Sequence, residues 1–145
     1  MRIPTKHKFE TYFFEEDELR VILPKNHPFV NENVFPVEEL CNYPFMLLEK
    51  GAKAEISQIF EKHKLIPNVK FITWDDYAVM SMVESGLGIS ILPSLILNRV
   101  PYDIVTKPLS IPAYRQIGVA LRNSKDASVA VKKFLQYLNL KDYNK

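Results

Sequence analysis

The stretch Met80–Pro93, MSMVESGLGISILP, decides how the rest of the chain is read. Upstream of it, Ala78, Val79, Met82 and Val83 fall on one helical face, so a helix is expected over Asp75–Ser85. Asp75 and Asp76 favour a helix start, and Thr73 or Asp75 can cap it. Gly86 stands where a left-handed residue ends a helix, and Gly88 lets the backbone turn again. Ile89–Leu92 is a short, largely β-branched run stopped by Pro93, which reads as a buried strand. The unit is therefore helix, Gly-x-Gly turn, strand, proline. A dinucleotide fingerprint requires strand, glycines, helix, and its third glycine is Ile91 here, so that reading is rejected.

Around this corner, strand-like and helix-like segments alternate. Phe45–Leu48 is a continuous apolar run of the kind buried on both faces of a sheet, and Val69–Ile72 is expected as a second buried strand. Between them, Ala52, Ile56, Ile59, Phe60 and His63 share a helical face that ends near Lys64. A short helix is expected over Val37–Cys41 after Pro36, another over Ser94–Asn98, and a strand over Ile104–Thr106. The alternation over roughly 26–107 predicts an α/β unit with a mostly parallel sheet. On the flanks, Phe9–Phe14 and Glu18–Leu23 read as a hairpin around the acidic Glu15–Asp17, and Arg115–Arg122 as a strand. Ser124 or Asp126 is the expected cap of a final helix carrying Ala127, Val131, Phe134, Leu135 and Leu138.

A chain of 145 residues supports one domain with a core, and 47% hydrophobic with 25% charged residues is ordinary for a globular protein. The 19 basic and 17 acidic residues are interspersed, which leaves no electrostatic footprint for nucleic acid. Cys41 is alone, so no internal disulfide is possible. No apolar run has membrane-spanning length, and the N-terminus lacks a signal peptide's apolar core. A cytoplasmic protein with no membrane partner is expected. No GxSxG, HExxH, phosphate loop or Cys/His cluster is present, so no catalytic residue, metal or cofactor is assigned. His27 beside Pro28 has no second acid, base or nucleophile to work with and reads as structural.

The corner also resembles a specific pattern. The effector-binding domain of LysR-type transcriptional regulators carries V-x-x-GLGI-x-x-LP, matched here by Val83, Gly86, Leu87, Gly88, Ile89, Leu92 and Pro93. Leu19–Phe29, LRVILPKNHPF, is similar to the family's apolar strand followed by His-Pro, and Val37–Glu49 to its short helix and next strand. The resemblance covers about Phe9–Leu140. It implies a two-lobed α/β fold of the periplasmic-binding-protein type, with a small-molecule effector and no enzymatic activity. It further implies that residues 26–107 form a complete second lobe, that 1–25 and 108–145 supply only the last elements of the first, and that the winged helix-turn-helix is not in this chain. Direct DNA binding is accordingly not expected. The alternative is a small-molecule-binding or enzyme fragment of a related two-lobed fold.

Ligands of open parallel sheets bind beyond the carboxyl ends of the strands. Those ends point to Lys50, Gly51, Thr73, Trp74 and Ser94 as candidate effector-binding residues, with Lys53 nearby, and to a polar or anionic effector held at helix N-termini. Gly86, Gly88 and Pro93 are the structural turn. By the same resemblance, helix 75–85 or exposed first-lobe strands are expected to join copies of the chain into a homo-oligomer.

Overall fold

The computed structural model describes residues 9–48, 55–138 and 141–142. Its first element, β1 (Glu10–Pro24), is one continuous 15-residue strand, not the expected hairpin. Glu15–Glu16–Asp17 offers none of the Gly, Asn-Gly or Pro chemistry that a tight turn requires. Asp17 instead points inward, its carboxylate accepting from Arg115 Nε at 2.8 Å and pairing with Nη2 at 2.7 Å. The partner lies 98 residues away in sequence, so no local pattern could announce it.

The chain divides into two compact units, one of Glu18–Tyr114 and one built from the chain up to Asp17 and from Arg115 onward. β1 contributes to both. Its second half, Leu19–Pro24, therefore packs in the larger unit, together with residues 108–114.

In the larger unit, 3-10 turns at Pro28–Asn31 and Val37–Cys41 lead from β1 to β2 (Pro44–Leu48). Then come α1 (Glu55–His63), β3 (Asn68–Thr73), α2 (Asp76–Glu84), β4 (Ser90–Pro93), the one-turn α3 (Ser94–Leu97) and β5 (Ile104–Pro108). β2 and β3 run parallel, with Phe45 opposite Val69 and Leu48 opposite Thr73. Ile89 continues the array as a parallel bridge to Phe45, through Met46 N to Ile89 O and Ile89 N to Pro44 O, both 2.9 Å. β1 pairs antiparallel with β4 (Leu19 opposite Pro93) and with β5 (Arg20 opposite Pro108). The resulting order is β3-β2-β4-β1-β5. The four strands within 26–107 share one direction, the mostly parallel arrangement expected there, and β1 inserts antiparallel between β4 and β5. The apolar run Val21–Leu23 fits this interior place, since both faces of a central strand are covered.

The core collects on these strands. Val21, Ile22, Leu23, Phe45, Met46, Ile91 and Leu92 are buried, with Ile56, Ile59 and Phe60 of α1 and Val79, Met80 and Val83 of α2 packed on them. The Phe60 ring stands edge-on to Phe45, centroids 5.1 Å apart. Met80 occupies the inner face of α2 more fully than Met82, which is half-buried. Ser90, the polar residue of β4, is buried and donates to Met46 O at 2.6 Å, which fastens β4 to β2.

In the smaller unit, the first half of β1 pairs with β6 (Tyr114–Leu121) and with β7 (Lys141–Asp142), Tyr12 lying opposite Asp142. α4 (Val129–Tyr137) begins at Ser128, whose Oγ accepts from Val131 N at 3.3 Å, rather than at Ser124 or Asp126. Those two residues belong to the preceding turn. Glu10 Oε2 accepts from Ser124 N at 2.9 Å, and Asp126 Oδ2 from Asn123 Nδ2 at 2.7 Å. Hydrogen bonds from Ser124 hold the Glu10 carboxyl below its ordinary pKa.

Candidate functional site

Three strand ends meet at one edge of the larger unit. The register that sets Leu48 opposite Thr73 ends β2 and β3 side by side, and the Ile89 bridge puts the end of β4 on the other side of β2. Lys50 and Gly51, with Lys53, lie outside the described residues. Thr73 and Ser94 close β3 and open α3, and both are half-buried. Since β2 separates their strands, they stand two strand spacings apart, about 10 Å.

The turn between β3 and α2 is tightly organised. Asp75 Oδ1 accepts from Tyr77 N at 2.8 Å and from Ala78 N at 3.4 Å, the arrangement of a helix N-cap. Thr73 Oγ1 accepts from Asp75 N at 3.2 Å one step earlier. This hydroxyl keeps its own proton free to donate outward, because it serves Asp75 as an acceptor. The carboxylate of Asp75 already takes the α2 donors that an anion would need, so this helix end is not an open anion site. Trp74, between them, is 77% exposed.

The turn residues behave differently from one another. Gly86 has φ +76° and completes the end of α2, with Gly86 N bonded to Val83 O at 2.9 Å and Leu87 N to Met82 O at 3.1 Å. Gly88 has φ +154°, and a Cβ there would lie 2.1 Å from Pro44 O. Pro93 is buried, ends β4 opposite Leu19 and occupies the N-cap position of α3 without a side-chain cap.

Sequence reading did not find the buried Asp17–Arg115 pair or the Ser90 bond, both of which join residues distant in sequence. Among the described residues there is no cluster of three or more His, Cys, Asp or Glu able to hold a metal ion, and no helix is long and apolar enough to cross a membrane.

A profile of the LysR substrate binding domain matches residues 2–141. The chain belongs to this family. Among relatives of this LysR substrate-binding domain, the HTH-type transcriptional regulator YybE of Bacillus subtilis is 32% identical over 126 residues, which cover 84% of this chain and 42% of YybE. The CcmR regulatory domain of Synechocystis PCC6803, solved with 2-PG, superposes with a TM-score of 0.81 at 24% identity, over 94% of this chain and 68% of that one. The effector-binding domain of QuiR, solved with shikimate, gives a TM-score of 0.78 at 21% identity, over 94% of this chain and 66% of that one. These neighbours fix the fold as that of the two-lobed, periplasmic-binding-protein-like effector domains. The chain spans less than half the length of the curated regulators it matches.

Proposed function

We propose that this LysR substrate-binding domain senses a small polar or anionic effector for a cytoplasmic transcriptional regulator. The effector is held at the carboxyl ends of β2, β3 and β4 by Lys50, Gly51, Thr73, Trp74 and Ser94. The observation that carries this reading is the register: Leu48 opposite Thr73, with Ile89 bridged to Phe45, brings three strand ends together on one edge of the sheet. Thr73 supports it further, since its hydroxyl is oriented by the Asp75 amide and retains a donor. The reading assigns no catalytic step and no direct contact with DNA to this chain. It also takes the chain to form a homo-oligomer through the helix at 75–85 or through first-lobe strands. Exposed Tyr77 on α2, and Phe134 and Tyr137 on α4, supply apolar surface for such contacts.

Trp74 is the chain's one tryptophan, so its emission reports on the site directly. Small carboxylates and phosphates, beginning with 2-PG and shikimate, are titrated against the chain while emission is followed. Thr73→Ala is expected to weaken a saturable response by roughly 1.5–3 kcal/mol, about tenfold to a hundredfold in Kd, with the melting curve preserved. Saturable binding that neither Thr73→Ala nor Ser94→Ala alters would move the site elsewhere.

A further inference from the structure

His27 does something the effector reading does not use. It follows the end of β1, where its backbone N–H bonds to Pro24 O at 3.0 Å, and it caps the 3-10 turn at Pro28–Asn31. The ring nitrogen Nδ1 accepts from Phe29 N at 3.3 Å, while the His27 carbonyl accepts from Val30 N at 3.1 Å. Glu32 N then closes the turn on Phe29 O at 3.2 Å. The side chain is 8% exposed and sits among three rings, with centroids 4.3 Å from Tyr43, 5.9 Å from Phe29 and 6.0 Å from Phe35.

Because Nδ1 accepts, the proton of the neutral ring is on Nε2, and Nε2 is buried with no hydrogen-bond partner. A second proton can go only to Nδ1, the atom that holds the turn. Among the described residues, no group facing the ring would welcome the resulting charge. Pro28–Asn31 and Phe35–Val37 contain no ionisable side chain, and Tyr43 faces the imidazole with its ring. Lys25 is paired with Asp103, Glu39 accepts from Asn42, Glu32 and Glu38 are exposed, and Cys41 is half-buried. Burial alone acts on the imidazole and lowers its pKa from the usual 6.5.

We propose that His27 is a proton-operated latch: on taking up a proton it releases the Phe29 amide, leaves its ring cluster and frees residues 27–32 while the sheet stays paired. The sign follows from the direction of the shift. The folded group binds its proton less readily than the unfolded one, so the closed turn is at full strength above about pH 6.5. It weakens as the pH falls from there through the lower folded value.

The test uses isotope-labelled full chain between pH 8 and 5. Imidazole signals give the titration of His27 beside His7 and His63, and amide exchange, corrected for intrinsic rate, gives protection at Phe29, Val30 and Glu32 against Val21 and Ile91. Protection of the turn is expected to fall at least tenfold along the His27 titration while the sheet amides hold. His27→Gln, which keeps a neutral acceptor, is expected to show a pH-independent turn. A His27 that titrates at or above 6.5, turn protection that stays constant while His27 titrates, an equal loss in the Gln variant, or joint loss of turn and sheet would each overturn the proposal. Should the Gln variant not fold, the wild-type titration and exchange decide the matter alone.

Discussion

Two helices of the larger unit end in the same hydrogen-bonding motif on very different residues. At the end of α2, Leu87 N reaches Met82 O and Gly86 N reaches Val83 O. At the end of α1, Leu65 N reaches Phe60 O at 2.9 Å and Lys64 N reaches Glu61 O at 3.2 Å. Both are Schellman closures, with the left-handed position taken by Gly86 (φ +76°) in one and Lys64 (φ +55°) in the other. Lys64 shows that a side chain is tolerated at such a position at modest cost. Glycine at the α2 corner therefore answers a second demand, and Gly88 identifies it. The backbone there runs against Pro44, the residue whose carbonyl receives Ile89 N and begins the bridge between β4 and β2.

The largest effect is accordingly expected at Gly88. Gly88→Ala places a Cβ 2.1 Å from Pro44 O, a backbone atom that cannot move without loosening Ile89 N. Steric overlap and an unfavourable φ add, so a loss of about 3 kcal/mol or more is expected, close to 10 °C in melting temperature for a chain of this size. Thermal unfolding followed by circular dichroism checks it. An unchanged melting curve would mean that β4 slides along β2 without cost, and the contrast between the two corners would lose its basis. Such a slide would also disturb the strand ends carrying Thr73 and Ser94.

Arg115→Ala comes next and asks whether the smaller unit has a comparable fixed point. It would leave the fully buried Asp17 carboxylate without its guanidinium. Removing one partner of a buried pair costs about 3 kcal/mol, at the low end of the usual range here because Arg115 itself is partly exposed. Urea unfolding of the variant beside Arg115→Lys separates the charge from the two-nitrogen geometry. A full return of stability with Lys would mean that charge alone matters.

Gly86→Ala is the milder counterpart of Gly88→Ala. No atom lies within 4 Å of a Cβ at Gly86, so only the left-handed backbone is penalised, at about 1 kcal/mol. If both alanine variants cost the same, the approach to Pro44 is not what distinguishes Gly88.

The same contrast shows what could be read in advance. Gly86 declares its place by its identity, and α2 and β4 followed from periodicity and a short β-branched run, since those signals are local. β3 forms where a strand was expected, but it is an edge strand with Phe71 and Ile72 exposed, not the buried strand expected, because among the described residues no later strand pairs on its outer side. Lys64 carries no such mark, because a left-handed lysine is set by where α1 must stop and β3 begin. The acidic Glu15–Asp17 read as a turn for the same reason: Asp17 is explained only by Arg115, far along the chain. The strand ends carrying Thr73 and Ser94 were recognisable one by one. Their separation by β2 was not, since strand order in a sheet is a long-range property, and it bears directly on the size of ligand that could touch both.

The smallest effect is expected at Lys64, and its sign is the sharpest check on the comparison. Replacing Lys64 by Gly removes a left-handed penalty of about 1 kcal/mol but enlarges the unfolded ensemble by nearly as much, so the net gain should be a few tenths of a kcal/mol. Lys64→Asn tolerates the left-handed region without that entropic loss and should stabilise slightly more. Lys64 is exposed, and neither change removes a buried contact. Denaturant midpoints for the two variants, measured with unchanged m-values, decide the order. A loss of stability in both would mean that the lysine side chain contributes at the end of α1. The two corners would then differ by more than the approach of Gly88 to Pro44.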